Sequence, residues 1–362
     1  MNKTAEITQA GLTRLIRQKW VGPLIIMLLV AGLMAMTTDR FLQPRNLANV
    51  SLQMAIVAIV AIGATFVILS AQIDLSSGSL VALTTVLTAG LVKEMGVPVP
   101  LAILLMLVMG AAAGAFNGFF ASYGRIPPFI FTLGTLSIFR GFAFLYTGGT
   151  PIFSVSPTLN NVFYAQLLGI PAPFIYVLLL YSGAAFYLRY TEGGRQIYAV
   201  GGNQDAARLS GINVNWVRTK AFIIAGLAGA IGGVLMTARL DSGSPNYAQG
   251  MELMAIAAAV IGGASLFGGQ GSVLGTLFGA MTIVIVQNGL NLHGVPAAWQ
   301  QISLGAIIAA AVGVDMWRRE LSGSARRLFG GGSPAGPGAP PPDRDDTRQR
   351  VDTSTDRVGA QE

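Results

Sequence analysis

TEGGRQIYAVGGNQDAARLSGINVNWVRTK, residues 191–220, is a polar and basic stretch set between two apolar runs. Arg195, Arg208, Arg218 and Lys220 stand in it against Glu192 and Asp205. Inside it lies a helix signal: Asn203 is a capping residue, Asp205 falls in the first turn, Ala206, Ala207, Arg208 and Leu209 favour helix, and Gly211 is a stop. A capped helix of about two turns between two membrane spans lies outside the hydrocarbon. It reads as a docking surface for a separate motor protein.

The flanking runs are two of ten. Trp20–Thr38, Asn46–Leu69, Leu80–Val92, Leu101–Ser122, Pro127–Tyr146, Pro173–Leu188, Ala221–Ala238, Met251–Ile261, Val273–Leu290 and Ala298–Val314 are apolar, two of them short. A helix that crosses the hydrocarbon needs about 20 such residues. The chain of 362 residues is 52% hydrophobic and only 11% charged, where soluble domains carry about 25% charged residues. The expected fold class is therefore an all-α membrane protein of about ten transmembrane helices. The 46 glycines suit close helix packing in lipid.

Charge sets the orientation. Lys3, Arg14, Arg17 and Lys19 precede the first run, and Arg318, Arg319, Arg326 and Arg327 follow the last. Residues 148–172 carry no charge at all. Positive charge marks the cytoplasmic side, so both termini and 191–220 are expected in the cytoplasm, which requires an even number of spans. The first run is longer than a signal-peptide core and has no small-x-small site before Asp39, so it reads as an anchor. The organisation that follows is a cytoplasmic segment 1–19, a membrane domain 20–317 containing the cytoplasmic loop 191–220, and a tail 318–362. From Gly330 the composition, rich in Gly, Pro and mixed charge, is that of a disordered segment.

Several function classes drop out. No G-x-x-x-x-G-K-[ST] occurs, so the chain itself is not read as an ATPase. GxSxG and HExxH are absent, which leaves a membrane hydrolase without its machinery. With no Cys and one His, His293, no cysteine or histidine metal cluster can form. The net charge of +7 is confined to a few loops and the termini, so topology rather than nucleic-acid binding explains it. No cofactor is expected.

The polar residues within apolar runs carry two readings each. Asp74 reads as the lone acid deep in an apolar region: either an ionisable group on a transport path or a cap on the next helix through Ser76 or Ser77. The local pattern favours the cap. Arg140 is either a substrate contact or, in the plainer reading, a side chain that snorkels or bonds a backbone carbonyl. Asn117, Gln287, Asn288, Asn291 and Gln300 would be unsatisfied against lipid, so each faces a helix or a cavity. As a set, with aromatic faces such as Phe129, they suit an uncharged hydrophilic cargo. Singly, each reads as interhelical glue. An internal repeat is faintly suggested by the small polar breaks at 74–80 and 264–273.

Several motifs carry a resemblance: Leu69-Ser-Ala-Gln-Ile-Asp-Leu-Ser-Ser-Gly-Ser79, Asn117-Gly118, Pro128-Phe-Ile-Phe-Thr-Leu-Gly134 with Arg140-Gly141, Gly194-Arg-Gln-Ile-Tyr-Ala-Val-Gly-Gly-Asn203 with Ala206-Ala-Arg-Leu-Ser-Gly-Ile212, and Gly262-Gly-Ala-Ser-Leu-Phe-Gly-Gly-Gln-Gly-Ser272. In order over about residues 45–317, they resemble the permease subunits of bacterial ABC importers for monosaccharides of the ribose/xylose type. The chain departs at Gln72, where that family usually has Gly. The resemblance implies the ABC importer permease fold with a short cytoplasmic coupling helix, and a homodimer in the inner membrane. It also implies a cytoplasmic ATP-binding subunit and a periplasmic or lipid-anchored sugar-binding protein as partners. Glu192, Gly193, Gly201, Gly202, Asn203, Ala206, Ala207, Arg208 and Gly211 would then engage the ATPase. The competing classes are a branched-chain amino-acid ABC permease, disfavoured because the last spans lack charge, and an ion-coupled secondary transporter, which usually places acids in its spans.

Overall fold

The computed structural model describes residue 18 and residues 20–329, with side-chain surroundings up to 317. The expected cytoplasmic segment before residue 18 and the tail beyond 329 lie outside the described residues. The chain forms two units, 1–316 and 317–362. Of the second, the described residues continue the final helix.

All ten apolar runs fold as helices. In chain order the helices are α1 Val21–Thr37, α2 Pro44–Leu69, α3 Ser77–Ala89, α4 Val99–Ser122, α5 Pro128–Thr147, α6 Pro157–Tyr164, α7 Ala172–Tyr190, α8 Glu192–Gly202, α9 Gln204–Leu209, α10 Val214–Leu240, α11 Met251–Ile261, α12 Val273–Leu292 and α13 Ala297–Phe329. A π-helical turn, Gly90–Glu94, extends α3. Two small antiparallel pairs complete the described fold: β1 (Ile152–Phe153) with β4 (Ser242–Gly243), and β2 (Gln166–Leu167) with β3 (Ile170–Pro171).

Seven helices among the described residues are long and apolar enough to cross a membrane: α2, α4, α5, α7, α10, α12 and the Ala297–Trp317 part of α13. The other three are shorter. α11, with 11 residues, rises only about 16 Å and α3, with 13, about 20 Å at 1.5 Å per residue. α11 does not traverse a hydrocarbon core of about 30 Å by itself, and α3 approaches that length only with its π-helical extension. They are half-helices. α13 runs to Phe329, so residues 318–329, assigned from composition to the tail, are helical.

α2 and α10 form the core. Nearly every residue of α2 from Met54 to Leu69 is buried, and α10 is buried along most of its length. α4 seals against α10 through Gly110, Gly114 and Gly118, spaced one turn apart. A Cβ on Gly114 would strike the Phe222 carbonyl, and one on Gly110 would meet Gly226 and Ala230. Small residues let backbones approach this closely, and in lipid such packing replaces the hydrophobic drive that associates helices in water.

The two halves repeat one pattern: a long buried helix, a non-helical break, a half-helix and two long helices. α2, the break 70–76, α3, α4 and α5 correspond to α10, the break 241–250, α11, α12 and α13. Each core helix packs on partners from the other half, α10 on α4 and α2 on α12. This corrects the pairing of 74–80 with 264–273. By position in the fold the break at 70–76 matches 241–250, and 264–273 lies in the α11–α12 connection.

Candidate functional site

Residues 192–209 fold as two helices rather than one, and residues 214–220 form the first turns of α10. Thr191 caps α8, its Oγ1 accepting the Gly194 amide at 3.1 Å. α8 is amphipathic, burying Gly194, Ile197, Val200 and Gly201. Its apolar spacing and the Thr191-Glu192 start were the signals that could have revealed it. Asn203 caps α9 as expected, its Oδ1 accepting the amides of Asp205 at 3.1 Å and Ala206 at 3.0 Å. Gly211, at φ +81°, ends the turn.

The expected contact residues divide by burial. Glu192, Gly202, Asn203, Ala206, Arg208 and Gly211 are exposed and Gly193 is half-buried. Ala207 and Gly201 are buried, so they hold the segment down rather than present it. A Cβ on Gly201 would strike the Leu69 carbonyl at the end of α2 and come within 2.6 Å of the Gly269 amide. That amide donates to the Leu69 carbonyl at 3.0 Å, and the Tyr198 hydroxyl reaches the Gly271 carbonyl at 3.2 Å. The end of α2, the end of α8 and the α11–α12 connection therefore touch backbone to backbone. Only glycine permits this at Gly201. Leu209, missed at the sequence level because it read only as a helix former, is 90% exposed at the tip of α9.

A second polar centre lies deeper. Asp74 binds Ser76, the residue just before α3, accepting its amide at 2.8 Å and its hydroxyl at 2.7 Å, and no side chain caps the first-turn amides of α3. Asn117 donates to the Ser76 hydroxyl at 2.7 Å, and the Leu75 amide donates to Thr132 Oγ1 at 3.1 Å. The break 241–250 is pinned at its outer end, where Asp241 accepts the amides of Val155 and Ser156. It then runs inward along α3. Ser244 exchanges hydrogen bonds with Thr85 Oγ1 at 3.3 Å. Arg140 of α5 donates to the carbonyls of Pro245 at 2.5 Å and Tyr247 at 2.7 Å. Arg140 is thus the carbonyl-bonded residue of the two readings. Irregular backbone at membrane depth persists only when its polar groups are paired inside the protein.

The half-helices α3 and α11 start against each other. A Cβ on Gly78 would meet the Glu252 carboxylate and the Ala248 carbonyl. Glu252 stands half-buried in the first turn of α11. Asp74 is therefore not the lone deep acid. Asp315, half-buried at the end of the last apolar run, accepts from the Ser265 hydroxyl at 3.1 Å and the Leu266 amide at 3.3 Å.

The amides do not converge. Asn288 and Asn46 exchange two hydrogen bonds of 2.8 and 2.9 Å, joining α12 to α2. Gln287 faces the Met254 sulfur at 3.5 Å, and Asn291 accepts from Gln300 at 3.1 Å. Asn117 belongs to the Ser76 cluster. Phe129 is exposed on α5.

A core of crossed long helices, two half-helices meeting at their starts and a capped segment outside the apolar body define the class: a multi-pass membrane permease. Residues 46–312 match the family model described as branched-chain amino acid transport system / permease component, and the chain belongs to that family. It is similar to the ribose import permease protein of Bacillus subtilis (strain 168), 40% identical over 297 residues, 82% of this chain and 92% of the relative. The ribose import permease protein of Escherichia coli (strain K12) is 40% identical over 296 residues, 81% of this chain and 92% of the relative. The xylose transport system permease protein of the same strain is 36% identical, covering 77% of this chain and 87% of its own. No solved structure gives a significant match.

Proposed function

We propose that this chain is the permease subunit of an ATP-driven monosaccharide importer in the bacterial inner membrane, with α8–α9 as the element that couples it to a cytoplasmic ATP-binding subunit. The observation that carries the coupling role is Leu209, a large apolar side chain 90% exposed on a short capped helix outside the apolar body. Arg208 beside it is also exposed, and arginine is among the residues enriched at the energetic centres of interfaces. The ribose and xylose permeases named above support a sugar as cargo. Ten helices crossing or entering the membrane, with α8–α9 and both termini inside, fit the distribution of basic residues. The chain works as a homodimer, takes sugar from a binding protein outside, and lines the path with α5, where Phe129 is exposed.

Only a ligand that favours one state over the other shifts a conformational equilibrium. ATP acts here through the partner: closure of the ATPase dimer carries α9, α8 passes the movement to the end of α2 and the α11–α12 connection, and the spans tilt. Leu209→Asp and Arg208→Glu should each abolish sugar-stimulated ATP hydrolysis and uptake in reconstituted vesicles, with membrane insertion unchanged. Full uptake by either variant refutes the coupling role.

A further inference from the structure

Beside α9 lies an open cavity of about 640 Å³, bordered by the end of α4, the turn into α5, α9 and the first turns of α10. Its polar lining is Ser122, Tyr123, Arg125, Gln204, Arg208, Asn215 and Arg218, and no Asp or Glu is among the residues that line it. We infer that this cavity binds a phosphate-bearing ligand, the phosphate held by the guanidinium groups of Arg125, Arg208 and Arg218.

The arrangement is unfavourable when empty. Arg208 is close enough to Arg218 for their charges to repel. Arg218 spends one N–H on Gln204 Oε1 at 2.7 Å, while its Nε is buried without a partner. The Ser122 hydroxyl, only 9% exposed, is also unpartnered. Buried donors left unpaired are costly, and like charges gathered without a counter-ion add to that cost. A phosphate resolves both problems, because its oxygens match the planar fork of arginine and accept hydroxyl donors. Cavities of roughly 300–1,000 Å³ take small molecules rather than bare ions. The phosphate can come from a soluble sugar-sized ester or from an anionic lipid headgroup. The proximity to α9 rests on the reading above only for its consequence, that a bound anion ties α9 to α4 and α10. Binding itself is measured without the ATPase, so failure of the coupling role and failure of this site are separate results.

The test uses the full-length chain in phosphatidylcholine nanodiscs at constant ionic strength. Ribose 5-phosphate and inorganic phosphate are titrated by calorimetry, with chloride as control. In parallel, thermal unfolding is compared in nanodiscs with and without phosphatidylglycerol. Saturable binding of the ester, or stabilisation by phosphatidylglycerol alone, supports the site and identifies its source. Arg218→Lys, which keeps the charge and loses the fork, should weaken that response roughly tenfold. Arg125→Gln, at an exposed position that spares the fold, should do the same. No response beyond chloride with any phosphate probe, or a response unchanged in Arg125→Gln, overturns the inference and leaves the arginines to a carboxylate of a partner.

Discussion

The two breaks in the repeated halves solve one problem by different means. The break at 70–76 is seven residues long; Asp74 takes both the amide and the hydroxyl of Ser76 within it, and Asn117 of α4 and Thr132 of α5 meet other groups from outside. The break at 241–250 is ten residues long and penetrates along α3 from Thr85 to Gly78, and its carbonyls depend on Arg140, more than a hundred residues earlier. The first break begins where α2 touches α8 through Leu69 and Gly201. The second is anchored to α5 and β1, away from that contact.

Four substitutions can break or sharpen this contrast. Arg140→Met should have the largest effect, because it strands two deep carbonyls and removes the positive charge beside Glu252. A loss of about 3 kcal/mol is expected, read as a fall in thermal unfolding midpoint and in detergent-extracted yield. If Arg140→Met were neutral, the second break would not hang on α5. Gly114→Leu comes next. Its side chain collides with the Phe222 carbonyl, and overpacking of this kind costs about 1–3 kcal/mol, visible as a lower unfolding midpoint. Asp74→Ala removes two accepted hydrogen bonds and should cost about 1 kcal/mol, most of it restored in Asp74→Asn, which keeps an acceptor. An Asp74→Asn variant as weak as Asp74→Ala would mean that the charge, not the hydrogen bonding, is what matters. Asn288→Ala should cost only about 0.6 kcal/mol, the usual size of an interhelical hydrogen bond in lipid, and leave transport intact. A large loss of uptake there would return Asn288 to the sugar path.

The contrast also explains what was legible in the amino-acid sequence. Local signals were legible: the ten apolar runs follow from continuous composition, and the Asn203 cap, the Gly211 stop and the Asp74–Ser76 contact each involve residues within a few positions of each other. The second break was not, since Asp241–Gly250 contains no sign that Arg140 would satisfy it. α3 and α11 looked like short spans because an apolar run does not reveal where its end stops in the bilayer. Glu252 was passed over because it stands at the very start of its run, where an acid reads as an interfacial residue. The role of Gly201 became visible only when the ends of α2 and the α11–α12 connection met it. The amides Asn117 and Asn288 shared a chemistry but not a place, and composition carries no information about place.

The central claim is that α8–α9 stands in the cytoplasm as the grip for a separate ATPase. The chain has no cysteine, so Leu209→Cys creates a unique label site. A membrane-impermeant maleimide should modify it in inverted vesicles but not in right-side-out vesicles, and addition of the cognate ATP-binding subunit should protect it. Labelling from the outer face, or labelling in inverted vesicles that the bound subunit leaves unchanged, would contradict the account.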